Sequence, residues 1–225
     1  MSTNLSGNIL TLGNASLNES CLKFIRDQYA PNDNCSVGDT VILDGIECLC
    51  VATGVTIQGS NLTRIAVDKN HNLGYYQKYV GINIDGTVIS KINSWRWGGY
   101  GTSSDAYSGL GYGLQNTNKC LDIAVNYTCG SGSNDNVTDA PFMWRGVNDF
   151  RASHSDKWFV PSLDELVAYI YPNASSLKDA SSYCWSSTEF GYNTSLSAYY
   201  VWIPSGKSQS QSKNKTRNVR LCRAF

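Results

Sequence analysis

The side chains best suited to chemistry in this chain are eight cysteines, two histidines and one small group of acids. Cys21, Cys35, Cys48, Cys50, Cys120, Cys129, Cys184 and Cys222 include no C-x-x-C pair. That argues against a zinc knuckle or a thioredoxin-like redox site. Cys48 and Cys50 lie two apart in an apolar stretch and share one face of an extended strand. Buried free thiols are the simplest reading. Cys120 with Cys129, and Cys184 with Cys222, are pairs that an oxidising compartment could close, although spacing assigns no connectivity. His71 and His154 both sit in polar, loop-like contexts, and no G-x-S-x-G is present, so a hydrolase finds no support. Asp135, Asn136 and Asp139 could offer oxygen ligands to calcium. One loop without EF-hand spacing reads better as an Asx-rich turn. No metal site and no cofactor are expected.

Recognition is the chemistry that remains. Of 225 residues 41% are hydrophobic and only 16% charged, so the surface must be built mainly of Ser, Asn, Thr, Gly and Tyr. Short hydroxyls and amides hydrogen-bond in many directions, and Tyr adds contact area with few rotors to freeze, the mix favoured in antibody paratopes. Formal net charge is zero but unevenly spread. Residues 183–225 carry Lys207, Lys213, Lys215, Arg217, Arg220 and Arg223 against a single acid, Glu189. A basic stripe could favour an anionic partner; a solvated strand edge blunted by lysine is the plainer reading.

The elements that must position these residues are partly readable. Residues 1–36 read as an arm and a helix packed on a domain that spans 37–225. Ser16-Leu-Asn-Glu19 has the form of a capping box, and Leu17, Cys21, Phe24 and Ile25 follow helical spacing over about 17–29. Val37 to Thr53 reads as a hairpin turning at Asp44-Gly45, followed by a strand over 62–67. Residues 75–112, rich in Gly, Tyr, Trp and Ser, read as a long decorated loop. Asn116 or Thr117 could cap a short helix, and 141–150 reads as a helical turn or two. The clearest local signal is Trp158-Phe-Val-Pro-Ser-Leu-Asp-Glu-Leu166. Ser162 and Glu165 form a capping box, Val160 can staple near Leu166, and Pro172 should stop the helix. Strands follow over 182–190 and 196–203, then a turn at Pro204-Ser205-Gly206, an all-polar alternation from Lys207 to Thr216, and a closing strand. The alternation predicts Tyr192, Tyr200, Trp202 and Ser210 facing solvent, with Tyr199, Val201, Ile203 and Val219 inward. No apolar run approaches the ~20 residues of a membrane span, and the first residues lack the pattern of a secretory signal. No membrane insertion is expected, and localisation stays open.

Three ordered segments carry a resemblance. They are Trp158 to Leu166, then Tyr183-Cys-Trp-Ser-Ser-Thr-Glu-Phe190, then Asn218-Val-Arg-Leu-Cys-Arg-Ala-Phe225. Together they resemble the C-type lectin domain shared by formylglycine-generating-enzyme-like proteins and the variable proteins of diversity-generating retroelements. The likeness to the variable proteins is closer, through W-x-L/V-P-S-x-x-E-L, Y-W-S-S-T/S-E and a terminal V-R-x-x-x-A-F. The hairpin and Ala66-Val-Asp-Lys-Asn-His-Asn-Leu-Gly74 also resemble the gut-phage and archaeal-virus variants of this group. The resemblance covers roughly 37–225 and is strongest from 158 on.

The resemblance implies an α+β C-type lectin fold, with small antiparallel sheets, two main helices and long loops. It also implies a rigid scaffold displaying hypermutated side chains over about 183–225. The expected ligand-binding face comprises Gly191, Tyr192, Asn193, Ser195, Ser197, Tyr200, Trp202, Ser205, Lys207, Ser208, Ser210, Ser212, Thr216 and Asn218. By the same analogy Trp185, Glu189, Gly206, Val219 and Arg220 are scaffold. Formylglycine-generating oxidases need two close cysteines near the matching C-terminal segment. Cys184 has no partner within several residues and Cys222 belongs to the last strand, so no enzymatic activity is expected. Calcium-dependent sugar lectins use E-P-N or Q-P-D with W-N-D, and Val147-Asn148-Asp149 is only a fragment of that pattern. A nucleic-acid partner rests on basic charge and aromatic content alone, without a recognised motif. The expected partner is a protein or surface ligand, met by a viral tail protein or cell-surface adhesin. A fixed-specificity, lectin-like carbohydrate-binding module is the alternative.

Overall fold

The structure is a computed structural model. It describes residues 35–76, 94–124 and 142–225, with the backbone of short strands before and between them. Three of these strands, β1 (Leu5–Ser6), β2 (Ile9–Leu12) and β3 (Ala15–Leu17), form a small antiparallel sheet. Ser16 and Leu17 are therefore strand residues and not the start of a helix. The remainder of the helix expected over 17–29 lies outside the described residues, as do Cys21, Cys129 and the Asp135–Asp139 loop.

Asp44-Gly45 turns the chain as its sequence predicts. It joins β4 (Thr40–Leu43) to β5 (Ile46–Thr53), with φ of 52° and 80° at the two turn residues, the left-handed pair that matches strand twist in a two-residue hairpin. β5 pairs with β6 (Arg64–Asp68) through a bulge between Cys50 and Ala52. Two further pairs, β7 (Gly81–Ile82) with β8 (Val88–Ile89) and β9 (Trp95–Arg96) with β14 (Thr216–Arg217), are short ribbons. The last strand, β15 (Cys222–Ala224), enters the main sheet between β6 and β10 (Trp158–Phe159), giving the order β10-β15-β6-β5-β4. All four pairings are antiparallel.

This sheet is apolar on both faces. Cys48, Cys50 and Ala66 point into one core cluster, with Trp95, Trp97, Trp144, Trp158 and Trp185. Leu49, Val51, Ile65 and Val67 point into a second, with Phe159, Leu166, Ile170 and Ile203. Double coverage is why the strands read as continuous apolar runs rather than as alternation. The hairpin turn is also a tie: the Asp44 carboxylate accepts from Arg223 Nε and from Trp158 Nε1, each at 2.8 Å. Burial opposes its charge, but the Arg223 guanidinium beside it keeps the carboxyl below its ordinary range.

Besides a 3₁₀ turn at Leu73–Tyr76, three longer helical stretches pack around the sheets among the described residues. Helix α1 (Gly113–Ala124) is longer than the short helix expected there. Asn116 and Thr117 lie inside it, buried, and not at its cap. Asn116 holds Tyr107 through both backbone groups, and Thr117 Oγ1 accepts from Val160 N. Helix α2 (Met143–Ser153) likewise exceeds a turn or two. The third begins as α3 (Leu163–Glu165), widens into a π turn over Leu166–Ile170 and tightens into a 3₁₀ turn over Tyr171–Ser176. Pro172 does not stop it. Pro sits in the first turn of the 3₁₀ segment, where its missing N–H costs no helical bond. Val160 and Leu166 belong to different core clusters rather than stapling together. Cys184 and Cys222 are buried free thiols, not a disulfide; both sit in the second core cluster, where they fill space as small apolar groups.

The capping box at Ser162 is present in both directions. Ser162 Oγ accepts from Glu165 N at 3.2 Å, and Glu165 Oε2 accepts from Ser162 N at 2.7 Å. Glu165 is buried and its other oxygen accepts from Gly111 N, so the box also fastens the preceding loop. Burial pushes the Glu165 carboxyl up to about 7. Ser162 Oγ further donates to Gly109 O at 2.9 Å. Ser162→Ala is expected to lower stability by about 1–2 kcal/mol, read from the urea midpoint; an unmoved midpoint would remove the cap from this account.

Candidate functional site

The predicted face lies on a second sheet, formed by β11 (Tyr183–Glu189), β12 (Ser197–Trp202) and β13 (Lys207–Ser212) in that order. Residues paired across strands point to the same side. Tyr183, Trp202 and Lys207 are one such row, and Trp185, Tyr200 and Gln209 are the next. On the opposite side Val201 faces Ser208 and Tyr199 faces Ser210. Like the main sheet, this one is covered on both sides: Ala198 and Tyr200 enter the first core cluster, Val201 and Ile203 the second. Only β13, an edge strand among the described residues, and the outer ends of β11 and β12 reach solvent.

The structure therefore divides the predicted residues. Gly191, Tyr192, Asn193, Trp202, Lys207, Ser208, Ser210 and Thr216 are exposed, Tyr192 almost wholly at 95%. Ser195, Ser197, Ser205, Ser212 and Asn218 are half-buried. Asn218 is tied down: its side chain donates to Ser182 Oγ at 2.6 Å and its backbone bonds Tyr183 and Trp185. Tyr200, expected at the solvent face, is not there. It is buried at 6%, edge-on to Trp185 and Tyr183, with its hydroxyl on Gln209 Oε1. Tyr199, expected in the core, is only half-buried and packs edge-on against Phe190. Val201, Ile203 and Val219 do point inward. The cause of both misplacements is the second core cluster: with no wholly wet face, alternation cannot say which branch is outside.

Two exposed groups result. On one side Tyr183 and Trp202 lie at 5.9 Å, both partly exposed, with Lys207 and Gln209 beside them. The Arg217 guanidinium stacks over Tyr200, Tyr183 and Trp185 at 4.6, 5.4 and 5.9 Å. On the other side Phe190, Tyr192 and Tyr199 form a second aromatic cluster near Ser208 and Ser210. Tyr183, Gln209 and Arg217 are absent from the sequence-based site. For Gln209 the signal is the turn: Trp202 pairs with Lys207 across residues 203–206, so even positions on β12 meet odd positions on β13. The turn itself is rigid. Gly206 has φ of 68°, and a Cβ there would fall 2.7 Å from the Tyr171 ring.

Beneath these groups the motif residues are buried. Trp185 Nε1 donates to Trp95 O and Trp97 Nε1 to Ser186 O, each at 2.8 Å. Ser186 Oγ donates to Tyr199 O, and Thr188 Oγ1 to Tyr107 O. Arg220 donates to the carbonyls of Asp68 and Lys178. Glu189 and Lys213 form an ion pair at 2.6 Å with side chains 1% and 0% exposed. Glu189 also accepts from Ser104 N and Ser103 Oγ; Lys213 donates to Thr102 O and lies 4.3 Å over the Trp97 ring. Burial pulls the Lys213 pKa down, and the glutamate beside it pulls it back. A water-sized void lies alongside, lined by Trp97, Ser104, Cys120 and Trp144. Burial pushes the thiols of Cys120 and Cys184 up to about 12 and about 11.

No protein-family model matches the chain, and no curated protein matches it. Among the described residues no group of three His, Cys, Asp or Glu could hold a metal, and no helix is long and apolar enough to cross a membrane.

A buried pair of this kind punishes the loss of one partner more than the loss of both. Lys213→Met should cost about 3–5 kcal/mol by stranding the Glu189 carboxylate. Adding Glu189→Gln should recover a substantial part, with a coupling within the ~0.5–3 kcal/mol found for contacting residues. Denaturant midpoints of the two single variants and the double variant check this; simple additivity would contradict it.

Proposed function

We propose that this chain is a ligand-binding protein. In this reading it presents exchangeable side chains on a C-type lectin scaffold, as a variable protein of a diversity-generating retroelement. The observation that carries the reading is the division of residues 183–225 into two kinds. Trp185, Ser186, Ser187, Thr188, Glu189, Lys213, Val219 and Arg220 are buried and bonded. Between them Gly191 to Asn193, Trp202, Lys207 to Ser210 and Thr216 are exposed, held through their backbones with their side chains largely turned to solvent. Surface substitutions usually change stability by only about 0.5 kcal/mol, so such positions can vary while the anchors hold the fold. The small antiparallel sheets and long loops agree with the scaffold that the motif resemblance implies.

A binding role also suits what the buried groups can do. The acid and thiol around the Glu189–Lys213 pair line a water-sized void. Cys120 and Cys184 are thiols rather than thiolates near neutral pH. A display protein of this kind fits a viral tail tip or a cell-surface adhesin, where the partner is a protein or another surface ligand.

The test is in DNA. A near-copy of the gene's 3′ end should lie beside a reverse-transcriptase gene, differing almost only where the template has adenine. The differing codons should include those of exposed residues such as Tyr192, Trp202, Ser208 and Ser210, and spare Trp185, Glu189 and Gly206. Absence of a template copy, or mismatches spread over all four bases, would overturn the retroelement reading.

A further inference from the structure

The six basic residues of the last segment are not equivalent. Lys213 is spent on Glu189, Arg223 on Asp44, and Arg220 on two backbone carbonyls. Lys207, Lys215 and Arg217 pair with no carboxylate among the described residues. The sole acid of residues 183–225 is Glu189, already buried against Lys213. Positive charge is therefore left at the surface without a carboxylate partner among the described residues.

Three of the groups around Trp202 offer donors. Arg217 has five N–H groups and no acceptor. One is used on the carbonyl of its neighbour Thr216, and Nε, buried within the aromatic stack, has no partner. The Gln209 carbonyl accepts from the Tyr200 hydroxyl at 2.5 Å, and its amide N–H groups on this exposed residue remain as donors. Lys207 is exposed in the same row as Trp202 and Tyr183. A donor-rich rim without a carboxylate selects an acceptor-rich, negatively charged ligand. The floor beside the rim is aromatic: Tyr183 and Trp202 are 46% and 40% exposed, with ring planes inclined by 30°.

We propose that the Tyr183–Trp202–Arg217 corner binds a carboxylate-bearing sugar, a uronic or sialic type of residue on a surface glycan. A sugar acid presents the ring and the acid in one compact unit. The ring lies on the Trp202–Tyr183 shelf while the carboxylate meets Arg217, with Lys207 and the Gln209 amide beside it. An aspartate or glutamate of a peptide supplies the acid but no ring for the shelf. The inference rests on reading this sheet as a ligand-binding face and names the ligand class for this particular set of side chains.

The test titrates the full chain at low salt with three probes. They are a sialic- or glucuronic-acid oligosaccharide, the same oligosaccharide with its carboxyl esterified, and an oligoglutamate peptide of matched charge. The acidic sugar should bind at least about tenfold tighter than either control. Charge-assisted bonds of this kind support such a margin, since each factor of ten is about 1.4 kcal/mol. Arg217→Gln and Trp202→Ser should each weaken binding about tenfold or more. Lys207→Gln, at an exposed site, should weaken it severalfold with the thermal midpoint unchanged, which separates ligand contact from folding. No binding of the acidic sugar, equal binding of the ester, or equal binding of oligoglutamate would each overturn the proposal. An adenine-templated repeat together with no sugar binding would sink this inference and leave the display reading standing. Sugar binding without such a repeat would do the reverse, leaving a fixed-specificity site.

Discussion

Glu189 and Lys213 place a negative and a positive charge on side chains only 1% and 0% exposed. Isolated, either would cost several kcal/mol to bury. Together they are tolerable only because Ser103, Ser104, Thr102 and the Trp97 ring complete their bonds. The pair and these groups bring together three separate parts of the chain: the 97–104 loop, the end of β11, and the segment that leaves β13. The pair thus acts as a registration pin. It fixes where the loop lies, where β11 ends and where the polar edge strand returns to the core. It also removes from the surface the only acid of the last segment, which leaves that surface positive.

Around the pin the molecule separates holding from displaying. Five tryptophans, at 95, 97, 144, 158 and 185, fill the first core cluster. Two of them, Trp97 and Trp185, donate their indole N–H groups to backbone carbonyls that stitch loop to sheet. The last strand closes the main sheet beside β6, and Arg223 reaches the hairpin turn at Asp44. Of the edge residues on β13, Gln209 joins this only by accepting from the Tyr200 hydroxyl. Lys207, Ser208, Gln209 and Ser210 are exposed, and their side chains make few bonds to the rest of the chain. A surface so decoupled from its core can change chemistry without changing shape.

Legibility followed how local each determinant was. Asp44-Gly45 and the Ser162–Glu165 box are settled within four residues, and both were readable. The burial of Glu165 was not, because its partner at Gly111 is distant in sequence. Pro172 misled because a proline stops a helix only when its N–H is needed, and the change to a 3₁₀ turn removed that need. The face was half readable. Alternation separated Val201 and Ile203 from Trp202, but it could not foresee that Tyr200 lies beneath Arg217 and Gln209. Parity across residues 203–206 set which side of β13 joins Trp202, and that depends on a turn length no apolar pattern encodes.

The account stands on the independence of the displayed side chains from the scaffold, and paired libraries measure that directly. One library randomises Tyr192, Trp202, Lys207, Gln209, Ser210 and Thr216 together; the other randomises Trp185, Ser187, Glu189, Lys213, Val219 and Arg220. Both are displayed on cells and scored for protease resistance across a temperature series. Most members of the first should keep the parental melting behaviour, since each exposed change moves stability by only about 0.5 kcal/mol. Almost none of the second should fold. Comparable loss of folded members in the two libraries would contradict the separation of face from scaffold.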